Sequence, residues 1–269
     1  MVNEGSRKGS KEVYIGETMK FKIGLAGRII GVKSMYDEIY EMCRDYLADG
    51  VEDFKVEVSQ EDVDFEREKS VREAMIEGIS PQEYPDEYLE TLAVYRKIAV
   101  GMLQYDTLLM HGAVAGIKNR VSDGTGKAVL FTAQSGVGKT THLRLWLDQI
   151  PGAFVVNGDK PLLRFQNGNW EACGTPWAGK ERMQTNITMP LAAICFLERG
   201  NQNTIERISF MEYYPLLFQQ VYRSSEPEYM TKMMELLIKI GENVPLYRLR
   251  CTMDKEAAWV AYAGIFGEK

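Results

Sequence analysis

The stretch that most restricts this chain is Ala128–Leu147. An apolar run, AVLFTA (128–133), leads directly into Ala133-Gln134-Ser135-Gly136-Val137-Gly138-Lys139-Thr140-Thr141. An amphipathic segment then follows, with Leu143, Trp146, Leu147 and Ile150 at spacings i, i+3, i+4 and i+7. Strand, small-residue loop and helix in that order form the P-loop pattern, here with alanine at its first position. Small residues let the backbone wrap closely, so that successive N–H groups face one anion. The helix beginning at Gly138–Thr140 adds the positive end of its dipole. Lys139 brings a point charge for β and γ phosphates, and Thr140 brings a hydroxyl for a magnesium ion, which prefers oxygen ligands. Residues Gln134 to Thr141 are therefore the expected nucleotide- or polyphosphate-binding segment. The loop implies a bound nucleotide or polyphosphate, and by itself names no reaction.

Three further features surround it. AFVVNGD (153–159) is an apolar strand ending on Asp159, which a parallel βαβ arrangement places beside the loop as a metal ligand or base. Gly158-Asp159 followed by Pro161 also spells a turn, so both readings stand. His111 lies in the apolar run TLLMHGAVAGI (107–117), as a core residue or as a functional imidazole near the catalytic edge. His142, in the first turn after the loop, reads as surface or packing. Gly174-Thr175-Pro176-Trp177-Ala178-Gly179-Lys180-Glu181-Arg182 is a stiff loop in which Lys180 and Arg182 either clamp a transferring phosphoryl group or are simply solvated.

Composition narrows the partners. The 269 residues carry 38 acidic and 32 basic side chains, a net charge of −6, which does not favour nucleic-acid binding. Cys43, Cys173, Cys195 and Cys251 form no CxxC pair and only two histidines are present, so a zinc site is not expected. Scattered thiols, no apolar leader and no membrane-length apolar run make the expected setting cytoplasmic and soluble. Residues 1–17 read as a frayed leader and 118–127 as a polar hairpin-like turn. The tract 61–87, acidic and with two prolines, is the expected linker between a small α/β region (1–85) and a P-loop domain (86–269). The methionine and leucine stripe at 230, 233, 234 and 237 reads as core.

His111-Gly112, AVLFTAQSGVGKTT and VVNGDK together resemble the catalytic core of HPr kinase/phosphorylase. The stretch 108–200, with GTPWAGK and ICFLERG, is more similar to the HPr-kinase-related serine kinases. The resemblance covers roughly 107–260. It implies an α/β fold with a mixed sheet, shared with ATP-dependent phosphoenolpyruvate carboxykinase, ATP and Mg²⁺ as cofactors, and self-assembly into an oligomer. It implies a kinase acting on a hydroxyl, that of serine in a peptide, protein or small molecule. His111 matches the family histidine that interacts with the catalytic acid, and Asp159 matches the second acid of an Asp-Asp pair. Gly158 stands where the first acid would be, and Thr141 where HPr kinases carry glutamate. Under this reading Gln134 to Thr141 bind ATP, Lys139, Lys180 and Arg182 meet the phosphoryl group, Thr140 and Asp159 hold the metal, and Asp159 or His111 takes the proton. Two rivals remain: a non-catalytic ATP-binding regulator, which Gly158 favours, and a carboxykinase-like metabolic enzyme. Reverse transfer to phosphate is also open.

Overall fold

In the computed structural model, which describes residues 13–15, 18–118 and 126–267, the N-terminal region builds a four-stranded sheet in chain order. Its strands are β1 (Val13–Ile15), β2 (Thr18–Leu25), β3 (Arg28–Ser34) and, after the short helix α1 (Glu38–Met42), β4 (Phe54–Glu57). β2 and β3 form an antiparallel hairpin, and β4 joins β3 in parallel. Val13–Ile15 pairs with β2, so part of the expected leader is a strand, and the rest of it, 1–12 and 16–17, lies outside the described residues.

The tract expected as a linker is instead largely helical, as α2 (Gln60–Glu77). Ser59 and Asp62 form a capping box, and the Asp62 carboxylate accepts the Ser59 amide at 3.1 Å. The acidic residues of 61–73 are tolerated because basic partners meet them. Arg96 donates to Glu66 at 2.6 Å and to Asp62 at 2.9 Å, and Lys97 donates to Asp62 at 2.6 Å. Arg96 and Lys97 lie on the next helix, α3 (Asp86–Met102). The chain divides into two units, Met1–Ile98 and Ala99–Lys269, with the division inside α3.

The second unit is a mixed sheet covered by helices on both faces. Its elements are β5 (Thr107–Leu109), β6 (Ala113–Ile117), β7 (Lys127–Thr132), α4 (Lys139–Gln149), β8 (Ala153–Asn157), β9 (Leu162–Gln166) and β10 (Asn169–Cys173). They continue as β11 (Thr188–Arg199), β12 (Thr204–Arg207), α5 (Phe210–Gln220), α6 (Pro227–Asn243), β13 (Leu246–Cys251) and α7 (Glu256–Phe266). Strands run in the order β5-β9-β10-β11-β7-β6-β8, with β13 also on β11 and β12 on β13. The turn expected at 118–127 falls on 119–125, outside the described residues.

Alternation along the central strands sends successive side chains to opposite faces. Val114, Leu130, Ile194 and Phe196 pack toward Leu217 of α5 and Leu237 of α6. Ala115, Phe131 and Cys195 pack toward Leu143 and Trp146 of α4 and Ala258 of α7. Of the stripe on α6, Met233 and Leu237 are buried and Met234 is exposed. Among the described residues, no helix is long and apolar enough to cross a membrane.

Candidate active site

β7, β11 and β13 run in parallel, so their carboxyl ends share one edge of the sheet. β6 is antiparallel to β7, and β8 is antiparallel to β6, so β8 also ends on that edge. The loop 133–138 leaves β7 there, Asp159 follows β8 there, and His111 precedes β6 there. Open α/β sheets bind ligands at this kind of edge.

The loop itself is prepared for an anion. Gly136 and Gly138 have φ of +78° and +124°, values a side chain would strain. Val137 N–H reaches Gln134 O at 3.4 Å, while the amides of Ser135, Gly136 and Gly138 have no backbone acceptor among the described residues. The Lys139 ammonium is buried and folds back onto the Ala133 carbonyl at 3.1 Å. Burial pushes its pKa down, and the charge of Asp159 works in the opposite sense. The ammonium and the carboxylate thus sense one another across the edge.

Asp159 sits on a turn that other residues hold. Asn157 is fully buried. Its carbonyl accepts the amides of Asp159 (2.9 Å) and Lys160 (2.7 Å), and its Nδ2 donates to Thr175 O and Oγ1 at 3.0 and 3.1 Å. The Thr175 hydroxyl donates to Lys160 O at 2.7 Å. One carboxylate oxygen of Asp159 lies 3.2 Å from His111 Nε2, and the other 3.2 Å from Lys160 Nζ. Burial alone would raise this carboxyl, but the His111 hydrogen bond and the Lys160 charge hold it below the usual carboxylate range.

The apolar run 107–117 is two strands, not one. The break falls at His111-Gly112, where the His111 amide donates to Gln220 O (2.6 Å) and the Gly112 amide to Asp159 O (2.9 Å). The Thr132 hydroxyl secures the His111 carbonyl at 2.8 Å. His111 is thereby held where two strands part, with its side chain half-buried.

The loop 174–185 covers Gly158. A Cβ at residue 158 would stand 3.1 Å from Ala178 O and 3.2 Å from Met183 O, so a side chain there requires the loop backbone to give by a few tenths of an ångström. A Cβ at Gly179 would lie 3.3 Å from Asp159 Cβ, so the loop's backbone reaches the carboxylate. Lys180 and Arg182 themselves are exposed, Arg182 with a left-handed φ of +48°. The structure therefore brings together the 134–140 loop, Asp159 and His111, and leaves the Lys180 and Arg182 side chains at the surface. His142 is buried.

Two cations went unassigned in the sequence. Lys160 adjoins Asp159 in the VVNGDK motif, a signal available by position alone. Arg199, at the end of β11, donates to Gly136 O at 2.7 Å, and only the pairing of β11 with β7 reveals it. Beyond Arg199 a cavity of about 470 Å³ is bounded by 136–138, Thr141, His142, Leu145, 197–200 and 251–253.

For magnesium, the relevant donors are the Thr140 hydroxyl and the Asp159 carboxylate. Among the described residues no three His, Cys, Asp or Glu side chains cluster as a metal cage. One ionised carboxylate and one hydroxyl suit an ion that takes its remaining ligands from phosphate and water.

No family model matches this chain, and no curated protein matches it. Among solved structures it is similar to the HPr(Ser) kinase/phosphatase from Coxiella burnetii, with a TM-score of 0.36 and 12% identity, over 59% of this chain and 88% of that one. A likeness this distant carries no functional argument.

Proposed function

We propose that this chain is an ATP- and magnesium-dependent kinase that transfers the γ-phosphoryl group to a hydroxyl, that of serine in a peptide, protein or small molecule. The observation that carries the reading is the shared edge. An amide-lined loop with Lys139 stands opposite Asp159, which is paired with His111 at 3.2 Å. Phosphoryl transfer needs positioning and charge more than covalent help. Loop amides and Lys139 would hold the β and γ phosphates, and Thr140 with Asp159 would ligate magnesium. When bound, the ion neutralises charge on the transferring group.

The acceptor oxygen forms its bond to the γ-phosphorus as the bond to the β–γ bridging oxygen breaks. Both Asp159 oxygens are engaged, and its carboxyl is held low, so it is a weak proton acceptor. With Nε2–H donated to Asp159, the lone pair of His111 rests on Nδ1, which takes the hydroxyl proton while Asp159 stabilises the imidazolium. Exposed Lys180 and Arg182 would attend the acceptor.

The test is transfer of γ-labelled phosphate from Mg-ATP to serine peptides, free serine and small alcohols. Lys139→Ala should reduce transfer by about a hundredfold or more, and His111→Gln should lower kcat more than it raises KM. Undiminished transfer in the Lys139 variant overturns the assignment. Gly158, closed over by the 174–185 loop, favours one second reading, a non-catalytic ATP-binding regulator. Tight ATP binding with no transfer to any acceptor would establish that reading.

A further inference from the structure

Two of the cations expected to meet the transferring group, Lys180 and Arg182, have their side chains at the surface. We propose that Lys160 is the residue that grips the γ-phosphoryl group, as a second ammonium alongside that of Lys139. The inference rests on the phosphate reading of the 134–140 loop.

Lys160 is placed by its backbone. Its amide donates to Asn157 Oδ1 at 2.7 Å and to Trp177 O at 3.1 Å, and its carbonyl accepts the Thr175 hydroxyl at 2.7 Å. On the neighbouring segment the Met110 amide donates to Pro161 O at 3.1 Å and the Gly112 amide to Asp159 O at 2.9 Å. In that antiparallel register His111 and Lys160 stand directly opposite, so their side chains rise on one face. The side-chain nitrogens agree. His111 Nε2 lies 3.2 Å from one Asp159 oxygen, and Lys160 Nζ lies 3.2 Å from the other. A lysine anchored at its backbone and free along its stem can move its ammonium without disturbing the turn.

Charge at the site calls for an anion. Two ammoniums, Lys139 and Lys160, meet one carboxylate, Asp159. Burial lowers the Lys139 pKa, Asp159 opposes that effect and Lys160 adds to it, so the two like charges sense one another. A positive charge is left over, and half-buried surroundings screen it poorly. A phosphoryl oxygen supplies the missing negative charge. The Lys160 ammonium carries three donors, and among the described residues its only partner is the Asp159 carboxylate. Its side chain is 26% exposed, so a ligand oxygen can reach it. Where Asp159 turns an oxygen to magnesium, Lys160 gives that oxygen up, and its ammonium is left for the phosphoryl group.

The experiment compares ATP with ADP, which lacks the γ group, by calorimetric titration of the full chain in magnesium. Lys160→Met keeps the length of the stem and removes the charge. It should weaken ATP by about tenfold or more and leave ADP within about twofold, as expected for the loss of one hydrogen bond to a charged group. Lys160→Arg, which keeps the charge, should recover most of the ATP affinity. Equal losses for ATP and ADP would mean that Lys160 acts only by holding the Asp159 turn, and no loss for either would mean that it touches no phosphate; both overturn the assignment. A wild type that binds neither nucleotide overturns the phosphate reading itself, and the assignment with it. A second measurement needs no variant. Acetylation by acetic anhydride, followed at each lysine by mass spectrometry, should be slowed at Lys160 by Mg-ATP and not by Mg-ADP. Equal protection of Lys160 by the two nucleotides overturns the assignment while preserving the phosphate loop.

Discussion

At the scale of single residues, burial decides which ionisable groups can do chemistry. His142 illustrates the structural outcome. Enclosed against Phe131 and Trp146, its imidazole is pushed down to about 4 because the charged form would lose its hydration. In the unfolded chain the same ring titrates near ~6.5. Above that pH both states are neutral and the ring has no pH-linked effect. As pH falls from about 6.5 to 4, the unfolded chain takes up a proton that the folded one refuses, and stability declines by on the order of 3 kcal/mol. Urea melts between pH 7 and 4.5 should show a steeper loss for the wild type than for His142→Gln. Parallel losses would mean that the ring is not held neutral. Gly158 is the complementary case. Gly158→Asp places a Cβ 3.1 Å from Ala178 O and 3.2 Å from Met183 O, so the neighbouring backbone must give by a few tenths of an ångström, and overpacking of this kind costs about 1–3 kcal/mol. The substitution should lower the melting temperature and fail to raise transfer; a more active variant of unchanged stability would refute this.

At the scale of elements, the turn after β8 carries the site. The Asn157 side chain alone satisfies two part-buried amides of the turn, and reaches across to Thr175 through two buried hydrogen bonds. Asn157→Ala leaves those groups unpaired and should cost about 2–3 kcal/mol. It should also lower kcat more than it raises KM, because Asp159 loses its fixed place. A loss below about 0.5 kcal/mol with unchanged kcat would show that the turn holds without it. The break between β5 and β6 works similarly: one apolar run changes neighbours at His111-Gly112, and the side chain at the change is the one that meets Asp159.

At the scale of the whole molecule, the loop, Asp159, His111 and the cavity all belong to Ala99–Lys269. A chain of residues 86–269, which keeps α3 whole, should therefore bind Mg-ATP within about threefold of the full protein, a difference below ~1 kcal/mol. If 1–85 receives the acceptor, the shortened chain should bind ATP and transfer poorly. Failure of a folded fragment to bind ATP would show that the first unit is required for the nucleotide site itself.

Local patterns are enough for the loop 133–141 and its flanking strand and helix, because a period of two or 3.6 and a run of small residues are properties of neighbours in the chain. The hairpin of β9 and β10 is also legible from Asn167-Gly168, whose φ values of +53° and +78° are those a two-residue turn demands. The acidic helix α2 was not legible as ordered structure, because the cations that neutralise it, Arg96 and Lys97, are more than thirty positions away from Asp62. The same holds for Arg199 against Gly136, for Asn157 against Thr175, and for the crowding at Gly158. A sequence states which groups are present and how they repeat. Which of them touch depends on strand order and burial, and these are settled only when distant segments compete for the same apolar interior and the same hydrogen-bond partners.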